Sequence, residues 1–146
     1  MMTTSEKVQR TAPCGLDCFN CEVYEKNVTT AIIEFVAAKQ KLEPKAIPCK
    51  GCRAINGKCL FVGDCQTYHC VQEKGVKYCF ECLEFPCYKL APAREGAETY
   101  PHNFKLFNLY RMKVVGVERW AETESQEIRQ RYFKGKFIPG VGPVTE

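Results

Sequence analysis

Cysteine recurs along this chain at the interval of a metal-binding knuckle. Cys18-x2-Cys21, Cys49-x2-Cys52 and Cys79-x2-Cys82 each set two thiols three residues apart. Cys14 precedes the first pair, Cys87 comes after the last, and Cys59, Cys65 and Cys70 lie between. In a tight turn a C-x2-C step points both sulfurs to one side, where they can take two corners of a tetrahedron about 2.3 Å from a zinc ion. One such pair is compatible with a redox function; three in so short a span point to metal. Gly51 inside the second knuckle and Gly15 after Cys14 suit turns that bring backbone close to sulfur.

The cysteines number 11, so disulfides alone leave one thiol over. The opening MMTTSEKVQRTAPC carries no apolar leader segment. The expected compartment is therefore the reducing cytoplasm, where structural disulfides are rare. No apolar run approaches the ~18 residues of a membrane span. Hydrophobic residues at 45% and charged residues at 26% otherwise match an ordinary globular chain. Counting metal-bound cysteines as thiolates brings the formal net charge of +4 close to neutrality, so the basic balance is no argument for an acidic partner.

The pattern over 23–42 is helical. Tyr24, Val28, Ala31, Ile32, Phe35, Ala38 and Leu42 recur at three- and four-residue steps, and Pro44 and Pro48 close the run. Over 49–64 three glycines and no clear period predict knuckles and irregular loop. Short helices are expected over 66–74 and 85–94. Asn103 is placed to cap a helix running to Val115. Gly116 breaks it, and a further helix is expected over 117–132 with Val117, Trp120, Ile128 and Tyr132 as apolar positions. The fold class expected is mainly α: a small cysteine-rich domain with metal knuckles in the loops between helices. Residues 1–12 are expected as a flexible segment, 13–134 as a single metal-binding domain, and 135–146 as a mobile tail.

The order C-G-L-D-C-x2-C, a helix, P-C-x-G-C, C-x4-C and K-G-V-x2-C-x2-C-x2-F-P-C resembles the cysteine-rich family known as domain of unknown function 3795. The likeness covers roughly Pro13 to Leu90, and Asn108-Leu109 and Gly116 to Trp120 resemble that family's C-terminal segment. It implies a small bacterial or archaeal protein that binds zinc, with no established reaction. The positions carried over as metal ligands are Cys14, Cys18, Cys21, Cys49, Cys52, Cys65, Cys70, Cys79, Cys82 and Cys87. Cys59 falls in a loop expected to vary.

Other readings of the same residues are weaker. Cys14-x3-Cys18-x2-Cys21 also spells the signature of radical S-adenosylmethionine enzymes, but the chain lacks the length and strand–helix alternation of their barrel. An iron–sulfur redox or electron-transfer protein is the alternative to zinc, since cysteine-only ligation suits both; the bacterial ferredoxin run is absent. His69 is one residue from Cys70 and is expected at the solvated surface rather than in a Cys3His site. His102 is read the same way. Arg129, Arg131, Lys134 and Lys136, interleaved with Tyr132 and Phe137, suggest either a nucleic-acid contact or a solvated helix end, and the helix end is preferred. Trp120 is read as core. No catalytic motif is visible. The expectation is a zinc protein holding two to three ions, its sites chiefly structural, serving as a binding or adaptor module for a protein partner, away from membranes and nucleic acid. The cluster of Cys14, Cys18 and Cys21 is expected to take its fourth ligand from Cys87 or Cys59 in preference to an exogenous ligand, with Asp17 pointing outward or capping the next turn.

Overall fold

A computed structural model describes all residues, 1–146. Helical turns of all kinds account for 48% of the chain and strand for four short pieces, so the mainly α expectation holds. Helix α1, Thr4–Gln9, starts where Thr3 accepts a hydrogen bond from the Glu6 N–H. Helix α2, Thr30–Gln40, starts in the same way from Thr29 and stops at Lys41, which is in the left-handed region. Helix α3, Gln66–Lys74, ends at Gly75 with φ 65°. Helix α4 is Lys105–Val115, and Gly116 ends it. Helix α5 runs from Val117–Arg119 through a π-helical turn, Trp120–Glu124, into Ser125–Lys134. Two antiparallel ladders complete the chain: β1 Lys58–Cys59 with β2 Gly63–Asp64, and β3 Lys136–Ile138 with β4 Gly142–Val144. No helix is long and apolar enough to cross a membrane.

The main core lies where α4 and α5 meet the cysteine-bearing loops. Phe19 stands edge-on to Trp120 with ring centroids 6.0 Å apart, and Val71, Leu90, Leu109 and Met112 close around them. Trp120 is fully buried, as its expected core role requires. The π turn gives α5 one extra residue per turn at this point. Ala121, Ser125 and Arg129 then succeed one another at four-residue steps as one buried row. A smaller core, Val23, Ala37 and Ile47, sits beneath α2.

Several expectations need correction. The helix expected from residue 23 begins at Thr30, because Tyr24 pairs with Cys49 in a parallel bridge and Thr29 caps the helix. Its inner face is Ile32, Ile33, Val36 and Ala37, leaving Phe35 exposed beneath Lys39. Residues 85–94 form only the 3₁₀ turn Tyr88–Leu90. Asn103 does not cap α4: its amide bonds both the N–H and the carbonyl of Ala93, and the helix starts after a 3₁₀ turn, His102–Phe104. Residues 1–12 hold α1, whose Thr4 and Lys7 bond Glu122 on α5. Residues 136–144 form the second hairpin, and Arg131 donates to the Pro143 carbonyl.

Candidate metal centre

The loop from Cys14 to Cys21 is fastened from behind by the two C-terminal helices. Gly15 has φ 95°, and a Cβ there would stand 2.6 Å from the Lys105 carbonyl and 2.8 Å from Leu109; only glycine lets the loop lie this close to α4. Asn108 on α4 donates to the Gly15 carbonyl at 2.8 Å and accepts from the Trp120 indole at 3.2 Å. Asp17 is fully buried and accepts from Arg129 at 2.8 Å and from Asn20 at 2.9 Å. Arg129 also reaches Glu22 at 2.9 Å, and Asn20 reaches Ser125 at 3.0 Å. Asp17 therefore points inward, contrary to expectation. Burial pushes its carboxyl up from the ordinary range, with Arg129 and Asn20 pulling against it. Burial also opposes charge on Arg129, but Asp17 and Glu22 more than offset this and hold its proton. Arg129 is thus an internal tie rather than part of a basic surface.

This fastening presents a first group of thiols: Cys18, Cys21, Cys49 and Cys52. The bridge at Tyr24 carries the second knuckle to the first, through Cys49 N–H to the Val23 carbonyl and Glu25 N–H to the Cys49 carbonyl, both 2.8 Å. The sulfurs of Cys18 and Cys52 are 3.9 Å apart. Gly51, at φ 92°, turns its N–H onto the Cys49 sulfur at 3.4 Å. Cys52 and burial both drive the Cys18 thiol well up, and burial, reinforced by Cys18, pushes Cys21 to about 11 against the pull of Arg129.

A second group is Cys70, Cys79, Cys82 and Cys87, which together line a cavity of about 100 Å³ that Lys74 and Lys89 also border. Helix α3 supplies Cys70; the 3₁₀ turn Cys79–Glu81 supplies Cys79, tied by its N–H to the Pro13 carbonyl at 2.9 Å. The Glu84 N–H turns onto the Cys82 sulfur at 3.4 Å, matching Gly51 on Cys49. Burial pushes the Cys79 thiol up to about 12, and Cys87, Cys70 and Cys82 add repulsion against the opposing pull of Lys105.

The spacing alone joins Cys14 to Cys18 and Cys21, but Cys14 stands between the two groups, close to both Cys18 and Cys79. Burial holds its thiol at about 12 despite Lys105. Cys59, on β1, lies near Cys49, and Cys65 stands at the start of α3, its N–H on the Gly57 carbonyl at 2.9 Å. His69 pairs with Asp64 at 2.6 Å, and His102 with the Ala93 carbonyl at 3.1 Å.

All 11 cysteines are free thiols, and no three Cys, His, Asp or Glu side chains form a closed coordination group as they stand. Three features nevertheless fit a thiolate-bound metal. The donors in each group are sulfur alone, which suits zinc or an iron–sulfur cluster. The Gly51 and Glu84 N–H groups point at the Cys49 and Cys82 sulfurs, contacts that a metal-bound sulfur can still accept. Two buried guanidine N–H groups, Arg10 Nε and Arg129 Nε, have no partner. Both flank the first group: the Arg10 side chain stands 3.6 Å from where a Gly51 Cβ would be, with Cys18 at 3.8 Å, and Arg129 acts on Cys21. A set of thiolates supplies the negative charge these donors lack. Sequence reading missed Arg10, turned Asp17 the wrong way and gave Asn108 no bonding role; the four-residue row of Ala121, Ser125 and Arg129 is the one visible hint that Arg129 faces inward.

No curated protein and no solved structure matches this chain. A family-wide profile described as a protein of unknown function, DUF3795, matches residues 10–92, more than half of the length and all 11 cysteines. On that match, which spans both thiol groups and the loop pinned by Asn108, the chain belongs to the DUF3795 family.

Proposed function

We propose that this is a zinc-binding protein with two chiefly structural sites, one formed by Cys18, Cys21, Cys49 and Cys52 and the other by Cys70, Cys79, Cys82 and Cys87. It serves in the cytoplasm as a binding module for a protein partner. The observation that carries the reading is the 3.9 Å separation of the Cys18 and Cys52 sulfurs. A tetrahedron with spokes of about 2.3 Å has edges of about 3.8 Å, so two sulfurs from different knuckles already stand at the spacing of zinc ligands.

The energetics favour a structural role. A closed zinc site contributes about 10–16 kcal/mol of apparent binding free energy, comparable with the ~5–15 kcal/mol net stability of a whole domain. Here each site would tie together segments that share little regular structure. The first joins the loop after α1 to the loop before β1, and the second joins α3 to the 3₁₀ turns on its C-terminal side.

Anaerobic purification without added metal, and then elemental analysis, tests the proposal. The expected result is a colourless protein with about two zinc ions per chain. A brown protein carrying iron and acid-labile sulfide would replace zinc with the iron–sulfur alternative, and a chain with no metal would remove both.

A further inference from the structure

The two thiol groups differ in how they are enclosed. The first is held by the buried Asp17–Arg129 pair, by Asn20 on Ser125, and by Asn27 on the carbonyls of Phe19 and Cys21. Two guanidine groups with an uncommitted buried N–H stand against it. A guanidinium is a fixed fork of donors, and once desolvated beside sulfur it has no competing water to return to.

The second group has no such lock. Cys79 is buried, but Cys87 is exposed, and its neighbour Tyr88 keeps 97% of its surface in solvent. The cations bordering the cavity are Lys74 and Lys89, both exposed, whose ammonium groups are mobile and strongly hydrated. The half-buried Lys105 acts on Cys79 without bordering the cavity and donates to the Lys89 carbonyl at 3.1 Å. Lys74 is already engaged by Glu84. No side chain bonds the backbone between Pro86 and Tyr88, and the cavity of about 100 Å³ leaves room beside the four sulfurs.

Resting on the zinc reading, we infer that the groups are unequal: Cys70, Cys79, Cys82 and Cys87 form an exchange site for thiophilic divalent metal ions, loaded and emptied from the Cys87 edge, whereas the Cys18 group retains its ion. Cys87 is the sulfur that changes partners. When a competing thiol or chelator takes its place, Cys87 accepts the proton that the incoming group gives up and turns to solvent beside Lys89. One metal–sulfur bond is exchanged for another and nothing is oxidised.

The test uses the full chain loaded with zinc, mixed with excess 4-(2-pyridylazo)resorcinol at neutral pH, with release monitored by absorbance. Two phases of equal amplitude are expected, separated at least tenfold in rate. Cys87→Ser should remove or further accelerate the fast phase and leave the slow one unchanged; Arg10→Met should speed the slow phase alone. Cadmium-113 NMR of the unmodified chain supplies a check free of folding defects: during chelation, the resonance coupled to the Cys79 and Cys82 protons should vanish first. Two ions released at one rate, or a fast phase assigned to the Cys18 group, would overturn the inference while leaving the zinc reading intact. A chain that binds no zinc would overturn both.

Discussion

Arg129 on the last helix donates to the buried carboxylate of Asp17 at 2.8 Å, across 112 residues of chain. Asp17 lies inside the Cys14–Cys21 loop, so the position of the first knuckle is set by a side chain that comes after every cysteine in the sequence. Losing Arg129 leaves the Asp17 carboxylate buried with no cation beside it, and losing Asp17 leaves Arg129 only Glu22 as a counter-charge. The pair ties the folding of α5 to the geometry of the thiols.

Replacing Arg129 with Met should therefore destabilise the metal-loaded chain by about 3–5 kcal/mol, read from urea denaturation. The double variant Asp17→Asn, Arg129→Met should be less destabilised than Arg129→Met alone, since no unpaired charge remains inside. Equal losses in the single and double variants would show that the Arg129 guanidinium over the Phe133 ring, rather than its pairing with Asp17, supplies the stability.

Asn108 is the second tie, and it serves two groups at once. Its removal in Asn108→Ala orphans the buried Trp120 indole N–H and the Gly15 carbonyl, each at about 1–3 kcal/mol. A lower urea midpoint is expected, with a shifted Trp120 fluorescence maximum as water reaches the indole. Wild-type stability in this variant would mean that the bridge contributes nothing.

The local parts of this fold are legible in the residues, and the long-range parts are not. Gly75 closes α3 where the pattern places its end, and Gly116 separates α4 from α5. The C-x2-C pairs read as pairs. Which pair joins which does not, because that depends on the Tyr24–Cys49 bridge and on the close approach of Gly15 to Lys105 and Leu109. The same approach carries Cys14 toward Cys79, although its spacing argues for Cys18 and Cys21. Tyr24 and Val28 fit a helical stripe and so extend the α2 pattern beyond its true start; a tertiary contact overrides them. Asp17 and Arg129 carry no mark in their own neighbourhoods that identifies them as partners.

Cys14 should act as a pH-sensitive contributor to stability. Burial holds its thiol at about 12 in the folded chain, against about 8.5 when unfolded. The folded value is the raised one, so the contribution is fully present below pH ~8.5 and falls as pH rises toward about 12, by up to ~1.4 kcal/mol per unit. Between pH ~7 and ~9.5, denaturation midpoints should drop more for the wild type than for Cys14→Ala. A matching drop in both proteins would contradict this. Iodoacetamide at pH ~8 should likewise modify the exposed Cys87 in metal-free protein well before Cys14, whose burial holds back the reactive thiolate.

Single cysteine replacements distinguish the proposed ligand sets from a diffuse thiol cluster. Cys49→Ser breaks the first group and Cys82→Ser the second, so each should retain about one zinc by elemental analysis. The lost ion should differ: Cys49→Ser should lose the slowly released one and Cys82→Ser the fast one. Cys65→Ser should keep both, because Cys65, at the start of α3, belongs to neither proposed ligand set. Cys59→Ser is the sharper control. Cys59 lies near Cys49, close enough to raise its thiol, yet it sits on β1 where its backbone is committed to Gly63. It should keep both ions and at most loosen the first. If Cys59→Ser loses one full zinc while Cys52→Ser does not, then β1, rather than the second knuckle, completes the first site, and the 3.9 Å contact between Cys18 and Cys52 is a packing contact without a ligand role.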